Sequence, residues 1–166
     1  MRLVSGIVFF AIFLIAGCAI PTGPAGQLPL NSQLWHGRLA VRIESDQAST
    51  EPSSFSAEFE LTGSPDTGAL TIYTPIGTTA ATLSWSPQSA VMRSNGETRS
   101  FESLGALLKQ AVGTDIPVVA LFAWLAGDNL QVAGWNADLS QHANGRITAR
   151  RTAPAPVTEL RLVIDQ

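Results

Sequence analysis

Residues 70–85 constrain the fold more than any other stretch. They read Leu-Thr-Ile-Tyr-Thr-Pro-Ile-Gly-Thr-Thr-Ala-Ala-Thr-Leu-Ser-Trp. Leu70 and Ile72 alternate with Thr71 and Tyr73, and Ala81, Leu83 and Trp85 alternate with Thr82 and Ser84. A period of two on both flanks predicts two strands. Between them, Pro75 fixes one backbone angle and Gly77 tolerates a positive one, which predicts a turn. Ile76 is the anomaly, a large aliphatic side chain where a turn should face water. It either folds back onto the sheet or projects as an apolar contact for a membrane or a client.

The same period recurs on either side. Trp35, Gly37, Leu39, Val41 and Ile43 fall on one face of a strand, with His36, Arg38, Ala40, Arg42 and Glu44 on the other. Residues 45–54 are polar and read as a loop. Phe55, Ala57, Phe59 and Leu61 alternate with Ser56, Glu58, Glu60 and Thr62, the clearest strand in the chain. Gly63-Ser64-Pro65-Asp66 turns it back towards Leu70. Ser86-Pro87 breaks the ladder after Trp85. A short hairpin follows across Ser94-Asn95-Gly96. The expected unit is an antiparallel meander with one apolar face.

The period then changes. Phe101, Leu104, Leu107, Leu108, Ala111 and Val112 recur at helical spacing, with Ser100 as a cap and Gly113 as a stop. Asp115 can cap a second helix with Pro117 in its first turn. Residues Ile116 to Ala126 carry no polar side chain beyond an indole N–H. As a helix they extend about 16 Å, too short to cross a bilayer. Such a helix is either core or the wall of an apolar cavity. Val132, Trp135, Ala137 and Leu139, then Arg146 to Arg151 after Asn144-Gly145, then Glu159 to Ile164, predict the remaining strands.

The chain opens on Arg2 and a largely apolar stretch from Leu3 to Ala16, the layout of a secretory signal. The single cysteine, Cys18, follows Ile15-Ala16-Gly17 and cannot form an internal disulfide. The segment resembles a lipoprotein processing site, which implies a signal over residues 1–17 and a lipid on Cys18. Two or three acyl chains would anchor the product firmly, because each buried methylene contributes about 0.8 kcal/mol. Residues 18–34, with Pro21, Pro24 and Pro29 among glycines, read as a tether. One domain follows, over residues 35–166.

Thr74-Pro75-Ile76-Gly77 resembles the Asn/Ser-Pro-Leu-Gly loop of the LolB family of outer-membrane lipoprotein receptors. Trp35-His36-Gly37-Arg38-Leu39-Ala40-Val41 agrees with it, as do Ile116-Pro117 with Leu121 and Trp124-Leu125-Ala126-Gly127, and the strand Leu160-Arg161-Leu162-Val163-Ile164. The likeness spans about Trp35 to Ile164. It implies a mainly β fold, a strongly curved unclosed antiparallel half-barrel with a helical lid or plug over a hydrophobic cavity. It implies a receptor on the periplasmic face of the outer membrane. That receptor takes acylated client lipoproteins from a periplasmic carrier similar to LolA and inserts them into outer-membrane lipid. Pro75, Ile76 and Gly77 would form the membrane-inserting loop. The cavity is assigned to Leu39, Val41, Phe55, Phe59, Leu70, Ile72, Leu83, Leu121 and Trp124. The chain departs from the family in carrying isoleucine in the loop and in having fewer residues between the second helix and the last strand.

Ten basic and thirteen acidic residues, with Lys109 the sole lysine, argue against a nucleic-acid surface or a polybasic membrane anchor. The two histidines, His36 and His142, lie far apart in sequence and outside any metal-ligand spacing. There is no nucleophile elbow and no phosphate loop. No enzyme, metal or cofactor beyond the covalent lipid is expected, and the protein is expected to be a monomer. Two other readings stand beside the receptor. One is a structural or assembly lipoprotein that binds a protein partner. The other is a lipid carrier held on a tether.

Overall fold

The computed structural model describes residues 33–44, 53–112 and 114–165. The signal segment, Cys18 and all but the last two residues of the tether lie outside them. The described residues form nine strands, two α-helices and one 3-10 turn (His142–Asn144): β1 (Gln33–Ile43), β2 (Ser53–Gly63), β3 (Gly68–Tyr73), β4 (Thr79–Ser86), β5 (Ser89–Ser94), β6 (Glu97–Phe101), α1 (Leu104–Val112), α2 (Val118–Ala126), β7 (Trp135–Asp138), β8 (Arg146–Arg151) and β9 (Thr158–Ile164). All neighbouring strands are antiparallel, in the order β6-β5-β4-β3-β2-β1-β9-β8-β7. The first six form a meander. The last strand then pairs with the first, Gly37 opposite Ile164 and Ile43 opposite Thr158, and carries β8 and β7 with it.

This architecture corrects the expected half-barrel with a helical lid. The structure is an open antiparallel sheet, not strongly curled, with two short helices. β6 and β7 end the strand order on opposite sides and share no ladder. Each helix has nine residues, about 13 Å of length, so it packs on part of a sheet rather than closing a mouth.

Alternation produces the buried face. Trp35, Val41 and Ile43 of β1 and Ala57, Phe59 and Leu61 of β2 are buried, and their neighbours Arg38, Arg42, Glu58 and Glu60 are exposed. α1 packs Leu104, Leu107 and Leu108 inward. Its start is set by Ser103, whose hydroxyl accepts the Ala106 N–H at 3.1 Å. The expected cap, Ser100, instead lies in β6 with Phe101, because that strand continues to pair with β5. Asp115 does not cap α2 either. Pro117 precedes that helix, and its carbonyl accepts the Leu121 N–H at 2.8 Å. Gly127 ends α2 at φ 92°, letting the Gly127 and Asp128 N–H groups reach the Trp124 and Ala123 carbonyls. From α2, Phe122 meets Trp35 and Trp85 edge-on, at 5.6 and 6.3 Å between centroids.

Candidate functional site

The turn between β3 and β4 is closed by its own hydrogen bonds. The Thr74 N–H donates to the Thr78 carbonyl and the Gly77 N–H to the Thr74 carbonyl, both at 2.8 Å. The Thr74 and Thr78 hydroxyls lie 2.8 Å apart. Gly77 has φ 80°, the left-handed conformation that a glycine adopts without steric cost. The Ile76 side chain projects from this closed turn and is 85% exposed. Pro75 and Gly77 are exposed beside it. A register shift at Ile72/Tyr73 marks the base of the hairpin.

Two strands of that hairpin also wall an apolar cavity of 340 Å³. Seven of the nine residues assigned to the cavity line it: Leu39, Val41, Phe55, Leu70, Ile72, Leu83 and Leu121. The other two do not. Phe59 is 2% exposed in the core, where its register places it between Gly37 and Ile72. Trp124 is 1% exposed. It donates its indole N–H to the Leu130 carbonyl at 3.0 Å and packs 6.0 Å from the Trp135 ring. The assignment omitted Leu108, Ala111 and Val112 of α1, Ile116, and Leu160 and Leu162 of β9, all of which line the space. The helical spacing in α1 and the alternation in β9 carried that signal.

Among the described residues that line it, no side chain is ionisable. The one polar group, Ser94, donates its hydroxyl to the Ala80 carbonyl at 2.9 Å and so brings no unsatisfied demand into the cavity. Filling such a space with hydrocarbon desolvates no charge, and the walls offer nothing for acid–base or nucleophilic chemistry. Phe55 is 46% exposed although it lines the cavity, so it stands at the rim.

The polar candidates lie elsewhere. His36 Nδ1 meets Asp165 Oδ2 at 2.6 Å on the exposed face, and His142 Nε2 meets the Leu125 carbonyl at 3.1 Å. Arg38 pairs with Glu58 at 3.2 Å. Among the described residues no group of three His, Cys, Asp or Glu side chains is placed to hold a metal ion. At the end of β7, the Ser140 backbone N–H, 2.9 Å from Asp138 Oδ1, holds that carboxyl below the usual carboxylate range.

Comparison with known proteins gives the same direction. The family described as outer membrane lipoprotein LolB matches residues 33–161, which includes the projecting turn, most of the cavity wall and both helices. A LolB of Bordetella pertussis is 28% identical over 95% of this chain and 90% of its own length. A LolB of Bordetella petrii is 25% identical over 92% and 87%. A LolB of a Shewanella species is 31% identical over 66% of this chain and 47% of its own. The chain belongs to the LolB family of outer-membrane lipoproteins, transport factors rather than enzymes.

Proposed function

We propose that this protein receives the acyl chains of client lipoproteins in the 340 Å³ cavity and releases them into outer-membrane lipid while Ile76 holds the cavity rim against the bilayer. Membership of the family gives the coarser statement, a role in lipoprotein localisation. One observation supports the finer one. Ile72, Ala80 and Ala81 wall an uncharged cavity, and the strands that carry them run directly into the turn that exposes Ile76. A residue that enters lipid therefore sits four positions from a residue that would touch the client. Transfer of hydrocarbon between apolar surroundings needs neither metal nor nucleotide, since no covalent bond changes. Its direction follows from relative affinity at each step.

In this reading the signal over residues 1–17 is removed, Cys18 carries the lipid and residues 18–34 form the tether. The domain then faces the periplasm as a monomer and meets a soluble LolA-like carrier. The test follows one acylated client from the carrier to the purified protein and then into liposomes. Client transfer that Leu121→Asp blocks at the first step, and Ile76→Glu at the second, supports the proposal. Normal delivery by both variants overturns it, and would favour a protein-binding role for the apolar surface.

A further inference from the structure

A second cavity, of 580 Å³, lies between the connector from α1 to α2, the start of β7 and the segment 153–156. It has a different character. Its innermost charged residue is Arg151, which is 6% exposed. None of the ion pairs among the described residues includes it. The guanidinium donates only to neutral oxygens: the Asp115 carbonyl at 3.4 Å, the Pro156 carbonyl at 3.2 Å and the Thr158 hydroxyl at 3.4 Å. Its Nε is buried without any partner. The ring of Trp135 lies 5.9 Å from the guanidinium carbon. A buried cation is unfavourable until an opposite charge or full hydrogen bonding offsets its desolvation, and here both are incomplete.

The rest of the lining indicates the chemistry of a ligand that the cavity would take. Among the described residues, Lys109 and Asp115, both exposed, are the other charged residues that line the cavity, which gives the described lining one net positive charge. Val132, Pro117 and Pro154 give it apolar walls. The volume exceeds what a lone carboxylate would fill. A guanidinium and an ammonium group that line one cavity suit an oxyanion, and the apolar walls suit an organic substituent on that anion. We propose that this cavity binds a phosphate ester, with Arg151 as the principal cation and Lys109 at the rim. The ester is either a lipid headgroup or a soluble phosphate. This inference is independent of the acyl-chain reading, because the Arg151 cavity and the 340 Å³ cavity have no lining residue in common.

Calorimetric titration of the purified protein with glycerol 3-phosphate and with dihexanoylphosphatidylglycerol tests it, with uncharged dihexanoylglycerol as the control. Saturable binding of a phosphate probe is expected. Lys109→Gln should weaken it by about two- to fivefold, the range of an exposed charge contribution. Arg151→Lys, which keeps the charge and loses the planar guanidinium, should weaken it by about tenfold or more. Binding of glycerol 3-phosphate assigns the site to soluble esters as well. Binding of the short-chain phospholipid alone, with the same losses, assigns it to headgroups. Absence of saturable binding by both probes overturns the proposal, and so does binding that Lys109→Gln and Arg151→Lys leave unchanged. If Arg151→Lys does not fold, the exposed Lys109 decides the outcome.

Discussion

Leu121 and Phe122 are consecutive in α2 and serve different spaces. Leu121 lines the apolar cavity, whereas Phe122 lies edge-on to Trp35 at 5.6 Å in the packed core. Truncating Phe122 would leave a void among aromatic rings that cannot close. Phe122→Ala should therefore lower stability by about 3–5 kcal/mol, seen as a drop in melting temperature. Leu121→Asp places its carboxylate at the wall of an existing space, which water can enter. It should remove most binding of an acylated probe at a smaller cost in melting temperature. Equal losses in both measurements for both variants would show that cavity and core are one unit.

The turn gives the opposite separation. Ile76 contributes nothing to the core, so Ile76→Glu should change stability by less than about 0.5 kcal/mol. Insertion of the isoleucine into lipid would recover about 1.5–3 kcal/mol, and glutamate opposes insertion. The variant is expected to accept a client normally and to fail in liposome incorporation. A large fall in melting temperature would place Ile76 in the core instead.

Gly68 offers a test of the sheet itself. A Cβ there would stand 2.3 Å from the Thr62 carbonyl oxygen and 2.4 Å from the Trp85 ring. Neither can retreat easily, since β2 pairs with β3 at Gly68 and the Trp85 indole donates to the Ser64 carbonyl at 3.0 Å. Gly68→Ala should cost about 1–3 kcal/mol in chemical denaturation. An unchanged midpoint would mean that β3 and β4 shift freely.

Cys18→Ser should leave the domain folded and release it from membranes, because Cys18 lies outside the described sheet, whose first described strand is Gln33–Ile43. Mass spectrometry of the mature protein checks the lipid directly. An unmodified Cys18 in membrane-derived material would refute the anchor.

Most strands were legible because their periodicity is local. Phe55, Ala57, Phe59 and Leu61 needed only alternation to declare a strand. Two kinds of information were not local. The first was pairing across the chain: the order β1-β9-β8-β7 depends on the contact between Gly37 and Ile164, and it leaves an open sheet where a half-barrel was expected. The second was depth along a strand. Phe55 and Phe59 share one face, yet Phe55 borders the cavity and Phe59 is core. Phe59 has a strand partner on each side, Gly37 and Ile72, whereas among the described residues Phe55 pairs only with Val41, and a period of two contains no term for that. Helix starts failed for a related reason. Ser100 and Ser103 are chemically equal caps, and the ladder between β5 and β6 excluded the first.

Among the described residues β6 and β7 are the edge strands of the sheet, and this bears on how copies of the protein behave at high concentration. An exposed edge strand is a template for another chain, most dangerously when it is long, flat and apolar. Here β6 has five residues and carries the Glu97–Arg99 pair at 2.9 Å, and β7 has four residues ending in Asp138. Short, charged edges discourage fibril-like addition of strands. The projecting turn is equally unsuited to it. Thr74, Gly77 and Thr78 use their N–H groups within the turn, and Pro75 has none to give. Four of the five positions from Thr74 to Thr78 thus have no N–H left to give, so the turn that carries Ile76 into an oily phase offers a neighbour little backbone to copy, and stickiness towards lipid is largely uncoupled from stickiness towards itself.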